Sequence, residues 1–440
     1  MRVTLAIILV LLGYVNSYSQ DTKNMSLEDV VNRAWRESNT AKLALENIKY
    51  ARDRVILEKT NLYPDVNISG KYLYLNKAKI HIKKEAEERP PSESETSTPI
   101  HNLFLGQAGL SIPLFSGFKI RENIKTVKAQ EQSESLNKTT TKEELAMQAV
   151  NLYITLYEVF QNIEVIQKSL ESTHQRVIDF QNMEENGLLA LNDLLKAKLQ
   201  ESDVKLELSA AQKKALKINF QLITFLKLPK GTKIIPNDLS LLPFIPVNEN
   251  QINIEEKASI QALKNEEKAL SHQVKSVKSN YFPSLGLSAG YLAFNLQNTI
   301  TVHKAFNIGL GLSYNFADIF KNKSAVRMAQ SKKKQLHFQL EEAKDEAEIE
   351  RKNAIEDYQL SLERHNLIEE ASEQAKENYR IVKDKFDNGL LNTRDLLEAD
   401  EMKMKREIKL AEAKGEIFRQ YYQLKKSRGQ LIEEFETSKQ

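Results

Sequence analysis

Two carboxylates three residues apart on a helix share a face, and Asp395 and Glu398 are spaced that way. Asp193 occupies the matching place in an earlier segment, Lys196 falls where a second Glu398 would be, and Arg394 adjoins Asp395. Carboxylates repeated around an axis favour cations in a pore; left singly they are solvated helix-surface acids. Nothing else in the chain is arranged for chemistry. The seven His residues are scattered without HxxxH or HExxH spacing, and there is no Cys to serve as nucleophile or thiolate ligand. Gly309 and Gly311 do not extend to a phosphate-cradling GxGxxG. No nucleophile converges on a base. The expectation is therefore no enzyme, no cofactor and no metal site.

The elements that must hold these acids are long helices. The 440 residues include only 14 Gly and 10 Pro, with 41% hydrophobic and 28% charged. That composition belongs to extended helical structure rather than to a loop-rich fold. The 63 basic and 60 acidic residues give a net charge of +3, too mixed for a nucleic-acid-binding face. A mean hydropathy of −0.48 excludes a bundle of membrane-spanning helices. It leaves a membrane β-barrel open, because barrel strands alternate apolar with polar residues. At the N-terminus, Arg2 precedes the apolar run Val3 to Leu12, followed by Ser17, Ser19 and Gln20. This reads as a cleaved export signal over residues 1–20, too short to span a bilayer. Without Cys, the mature protein is expected to carry no lipid anchor.

The chain is one unit written twice. Lys59-Thr60-Asn61-Leu62-Tyr63-Pro64 returns as Lys278-Ser279-Asn280-Tyr281-Phe282-Pro283. Asn186-Gly187-Leu188-Leu189 with Asp193-Leu194-Leu195 returns as Asn388-Gly389-Leu390-Leu391 with Asp395-Leu396-Leu397. Two signatures recurring in the same order place a first repeat at 21–240 and a second at 241–440, joined near Pro229, Pro236, Pro243 and Pro246. The first copy carries a longer charged loop, Lys77 to His101, read as an extracellular cap.

Each copy is expected to run helix, strand, strand, long helix, turn, helix. Ser26 and Asp29 form a capping-box start to a helix reaching about Leu62. Pro64 and Pro283 mark the switch to strands, since the residue before proline is pushed towards extended geometry. Period-two alternation then predicts hairpins at about 63–115 and 282–317. Val66, Ile68, Tyr72 and Tyr74 alternate with Asn67, Ser69 and Lys71; Ile308, Leu310, Leu312, Tyr314 and Phe316 alternate with Gly309, Gly311 and Ser313. Helices of on the order of 100 Å follow, about Lys119 to Glu185 and Lys321 to Asp387. Leu152, Leu156, Val159, Ile163, Ile166 and Leu170 form a coiled-coil seam with Val204, Leu208, Ala211, Ala215, Ile218 and Leu222 of the returning helix. In the second copy the seam carries Ser361, His365 and Ser372, which suggests a wetter face. Four strands cannot close a barrel and cannot leave an open edge in hydrocarbon, so a membrane location demands oligomers. Two, three or four copies all satisfy that demand. A secreted or surface coiled-coil scaffold without a pore is the alternative from another class.

These features together resemble the TolC family of outer-membrane efflux and secretion channels. The resemblance rests on the aromatic-Pro strand starts at Tyr63-Pro64 and Phe282-Pro283, on Pro113-Leu114-Phe115-Ser116-Gly117 leading into a long helix, and on the two Asn-Gly-Leu-Leu turns. Asn315-Phe316-Ala317-Asp318 departs from the Pro-Leu-Phe-x-Gly form in the second copy. The resemblance implies a mixed α and β membrane protein. Its homotrimer closes a twelve-stranded outer-membrane barrel that continues into an α-helical periplasmic tunnel. Implied partners are outer-membrane lipid, a periplasmic adaptor protein, and an inner-membrane RND or ABC pump, in an efflux or type I secretion system.

By the same resemblance, Gly187, Leu188, Leu189, Gly389, Leu390 and Leu391 form the tip that docks the adaptor. Asp193, Asp395 and Glu398 line the periplasmic constriction, with Lys196 available to pair with an acid there. The family carries a basic latch residue two places after the second-copy glycine. Here that position is Leu391, and Arg394 is the cation available to substitute.

Overall fold

A computed structural model describes residues 22–78, 100–237, 239, 253–297 and 300–437. The export signal, the centre of the loop with Glu85 to Pro91, and the join with Pro243 and Pro246 lie outside the described residues. The chain runs β1 (Thr22–Met25), α1 (Leu27–Glu37), α2 (Asn39–Thr60), β2 (Asp65–Ala78), β3 (Ile100–Ser116), α3 (Lys119–Glu185) and α4 (Leu191–Phe225). It continues through β4 (Lys233–Pro236), α5 (Ala258–Lys278), β5 (Ser284–Leu296), β6 (Ile300–Ser313), α6 (Ala317–Asp387), α7 (Thr393–Ser427) and α8 (Leu431–Thr437).

Two compact units form, and each draws on both sequence repeats. One gathers the described residues up to Asn47 with Ser135–Ala262 and Glu341 onward; the other holds Ile48–Glu134 and Leu263–Leu340.

The first unit is helical around one buried cluster. Ser26 caps α1 with a reciprocal capping box to Asp29. The helix does not run on to Leu62: Ser38 turns extended (ψ 144) and ends it, while its Oγ accepts the Ala41 amide to start α2. Leu27, Val30, Val31 and Ala34 of α1 then bury against Val150, Tyr153 and Ile154 of α3, Leu222 of α4, and Leu431 and Phe435 of α8. Trp35 sits beside this cluster, its indole N–H donating to the Lys142 carbonyl (2.9 Å) and its ring meeting Phe435 edge-on. The parallel pairing of β1 with β4 was not legible in four-residue segments, where period cannot be measured. It is tied down from the side: Tyr153 Oη donates to the Met25 carbonyl (2.9 Å) and accepts the Asn237 amide (2.9 Å). Gly415 brings α7 close to α3, since a Cβ there would lie 2.6 Å from Glu158 Cγ. The Glu158 carboxylate is held by both of its oxygens on Arg419 Nη2, at 2.9 and 3.0 Å.

The seam of the second copy is drier than its composition suggests. Ser361, His365 and Ser372 are buried, and Ser361 Oγ returns its proton to the Tyr358 carbonyl (2.7 Å).

In the second unit the four long strands form one antiparallel sheet in the order β2-β3-β5-β6. Register places Val66, Leu110, Ala289 and Ile308 in one cross-strand row, and Asn67, Gly109, Gly290 and Asn307 in the adjacent row on the other face. The small positions have a reason: the side chains of Asn67 and Asn307 lie over Gly109 and Gly290, where a Cβ would come within 2.7 and 2.8 Å of their Oδ1 atoms. The apolar row is open, with Val66 70% and Ile308 78% exposed. Pro113, which has no amide hydrogen for the ladder, sits at a register shift in β3.

Pro64 and Pro283 immediately precede β2 and β5. At the other end of the first hairpin, Gly117 (φ 63) and Phe118 (φ 71) turn left-handed before α3. Gly117 is required twice over, because a Cβ would also meet the Ser279 carbonyl at 2.5 Å. The second hairpin lacks this device. β6 ends at Ser313, short of Tyr314 and Phe316, and Asn315 Oδ1 accepts the Ala317 amide (3.1 Å) to begin α6.

Candidate functional site at the helix turns

The α3–α4 and α6–α7 pairs reverse at Gly187 (φ 71) and Gly389 (φ 73). Both are Schellman ends. The Leu188 amide donates to the Met183 carbonyl (2.8 Å) and Gly187 to Glu184 (2.9 Å), matched by Leu390 to Lys385 (2.9 Å) and Gly389 to Phe386 (2.8 Å). The Cβ-free left-handed residue lets the chain double back within five residues, which fixes what the tip exposes. Leu188 and Leu390 are each 73% exposed, whereas Leu189 and Leu391 are partly buried. Leu189 packs on a cluster of Val177, Phe180, Leu194, Ala197 and Leu396, which joins the two helix pairs. Phe180 and Phe386 meet there with ring centres 5.6 Å apart.

The structure separates the five charged residues into two groups. Asp193 and Asp395 are each the third residue of a helix, where the unpaired amides of the first turn favour an acid. Asn392 caps α7 by accepting the Asp395 amide (3.1 Å), while Ala190 offers α4 no side-chain cap. Lys196, Arg394 and Glu398 instead line a groove of about 670 Å³ between α4 and α7, together with Glu207 and Glu401. Lys196 does pair with an acid, but with Asp193 of its own helix (2.9 Å, three residues apart). A pair within one helix cannot clasp two. Arg394 is exposed and makes no ion pair among the described residues.

A buried ion pair links the helix pairs elsewhere. Arg176 of α3 and Asp400 of α7 form an ion pair at 2.8 Å with side chains only 7% and 6% exposed. Arg176 also donates to Gln200 Oε1 of α4 (3.2 Å) and to Tyr379 Oη of α6 (3.1 Å), so one guanidinium touches all four helices. Gln200 in turn donates to the Leu397 carbonyl (3.1 Å). Burial works against the Arg176 charge, but the Asp400 carboxylate and the Tyr379 hydroxyl outweigh it, and its pKa is raised. Sequence reasoning passed over both residues. The available signal was placement: Arg176 lies in the Thr173, Val177, Phe180 stripe, and a charge within a seam needs a partner.

Among the described residues no three His, Cys, Asp or Glu side chains converge so as to hold a metal ion, and no helix is long and apolar enough to cross a membrane.

No curated protein sequence matches the chain. Residues 251–430 match the outer membrane efflux protein family. The fold is similar to the outer-membrane channel OprN (TM-score 0.78, 17% identity, covering 92% of this chain and 89% of that one). It is also similar to the outer membrane protein VceC from Vibrio cholerae (0.77, 17%, 92% and 96%). The Campylobacter jejuni CmeC outer membrane channel is a further likeness (0.76, 17%, 96% and 91%). The C-terminal part of the chain thus resembles the outer membrane efflux proteins in sequence, and the chain throughout shares the fold of outer-membrane channels.

Proposed function

We propose that three copies of this chain form a passive conduit across the outer membrane and periplasm, gated where the helix pairs turn. Twelve strands close the barrel, and the long helices wall the tunnel. A periplasmic adaptor and an inner-membrane RND or ABC pump supply cargo and energy, for efflux or type I secretion. Export by the signal at residues 1–20 delivers the chain to the envelope.

The observation that carries this reading is the open sheet. β2 and β6 end the four-strand order, each with a strand on one side only, and the apolar row faces outward. Unpaired strand edges are untenable in hydrocarbon, and closure requires strands from further copies. Among the closures that physics permits, the resemblance to the TolC family supports three. At the tip, exposed Leu188 and Leu390 support adaptor docking. Asp193, Asp395 and Glu398, repeated threefold, supply carboxylates around the mouth. Leu189 contributes by packing the turn.

Native mass measurement of the detergent-extracted protein, paired with planar-bilayer conductance, tests the proposal. A trimer that conducts is expected. A monomer that extracts without detergent, or an oligomer that never conducts, would return the chain to a coiled-coil scaffold.

A further inference from the structure

Charge is evenly mixed over the chain but not over the helix ends that flank β5 and β6. Residues 268–283 contain Lys268, Lys275 and Lys278 and no acid; residues 319–340 contain five Lys and Arg327 and no acid. Elsewhere on α6 the cations find acids one turn away, as in Arg351–Glu348, Lys376–Glu373 and Arg380–Glu377. By sequence alone, Lys332 to Lys334 is a short basic run on a charged helix. The fold gives it a different setting.

α5 and α6 lie antiparallel, joined by Asn322 Nδ2 donating to the Val277 carbonyl (2.8 Å) and by His337 Nδ1 facing Glu267 Oε1 (3.5 Å). Between them runs a groove of about 850 Å³ lined by Lys275, Lys278, Arg327, Lys333 and Lys334. Glu267 is its only acid, already facing His337 at the end remote from the strands. No carboxylate among the described residues reaches any of the five cations, and Arg327 has only a hydrogen bond to Ser324 Oγ (3.1 Å). The cationic end adjoins the sheet, since Lys278 is separated from β5 by a single 3₁₀ turn, Phe282 and Pro283. At the start of α6, Phe316 just before the helix and Phe320 in its first turn are 71% and 83% exposed.

We propose that this groove binds the phosphate-bearing headgroup of an anionic phospholipid. Uncompensated cations held together by the fold need an anion, and a guanidinium flanked by ammonium groups matches phosphate in charge and in fork geometry. Free phosphate would satisfy the cations alone. The exposed phenylalanines between them and the strands favour an amphiphile, whose acyl chains cover Phe316 and Phe320 while its headgroup occupies the groove. The inference rests on the sheet being embedded in the outer membrane, which puts the α5–α6 ends at headgroup level, where basic clusters attract anionic lipid.

The test uses the full chain purified in detergent as its oligomer, and native mass spectrometry to count retained lipid. Phosphatidylglycerol should stay bound where phosphatidylcholine is stripped away. Replacing Lys275, Lys278, Arg327 and Lys334 by Gln should lower phosphatidylglycerol retention at least about tenfold, with oligomer mass and conductance unchanged. Exchanging the three lysines for Arg should keep retention. If the fourfold variant does not assemble, Arg327→Gln with Lys334→Gln carries the same comparison. Equal retention of both lipids, or retention unaffected by the Gln variant, overturns the proposal. So does displacement of phosphatidylglycerol by millimolar inorganic phosphate, which would mark a site for a free anion. A protein that conducts as a trimer yet shows no lipid preference refutes this inference alone. A protein that neither assembles nor conducts refutes the channel reading instead.

Discussion

Opening of the tip should be governed by Arg176 and Asp400. Each is almost wholly buried, so removing one partner leaves the other charged and uncompensated inside the helix pairs. Breaking such a pair from one side costs about 3–5 kcal/mol. Arg176→Met loses the 2.8 Å ion pair and the hydrogen bonds to Gln200 and Tyr379, while Asp400→Asn keeps the shape and removes only the charge. At about 1.4 kcal/mol per decade, local opening should become at least roughly 100-fold more frequent in either variant. Amide hydrogen exchange over α6 and α7 near Tyr379 to Asp400 reads this opening directly, provided the protein is otherwise intact. The charge-free pair Arg176→Met with Asp400→Leu separates unpaired charge from lost packing. Matched apolar replacement of a buried ion pair is often neutral or stabilising, so exchange should slow again towards the wild-type rate. Wild-type exchange in both single variants would refute the clasp. A double variant as labile as the singles would show that packing, not charge, holds the helices.

Three further outcomes follow from the same structure. Asp395→Asn with Glu398→Gln should weaken block by multivalent cations in planar bilayers; unchanged block would leave these acids as helix-surface charges only. Leu188→Asp with Leu390→Asp should reduce crosslinking to the adaptor, and the same exchange at Leu189 should instead destabilise the tip, because only the first pair is exposed. Glu143 is buried, and that burial, only partly offset by Lys257 and Lys426 and reinforced by Glu350 and Glu144, pushes its pKa from 4.5 to about 7. Between these values the folded protein keeps a proton that the unfolded chain has lost. Stability should therefore fall as pH rises from about 4.5 to 7, by roughly 3 kcal/mol, and then level off. Glu143→Gln should flatten the dependence in urea unfolding across that range, and an identical slope would exclude Glu143 as its source.

Periodicity made the strands and long helices legible, because a half-buried element records its exposure pattern in its own residues. The two glycine turns were legible for a related reason: a left-handed helix end admits few residue types, so Gly187 and Gly389 stand out. Shorter features left no such record. The break at Ser38, the β1–β4 pairing and the early end of β6 depend on single hydrogen bonds or on partners far away in the chain. The seam serines and His365 looked wet in sequence and are buried, since burial is a property of the facing helix as much as of the residue.

The candidate site divides the same way. Sequence alone determined a duplicated chain, four strands that cannot close by themselves, and acids just past each turn, because spacing fixes which residues share a face. Only the tertiary structure decided which charges act together. It paired Lys196 within its own helix, separated Asp193 and Asp395 from the groove that holds Glu398, and brought Arg176 to Asp400 across 224 positions of sequence. It also set two stretches of unpaired cations, far apart in the chain, on the walls of one groove. Electrostatic energy depends on distance in space and on burial, and a linear sequence reports neither.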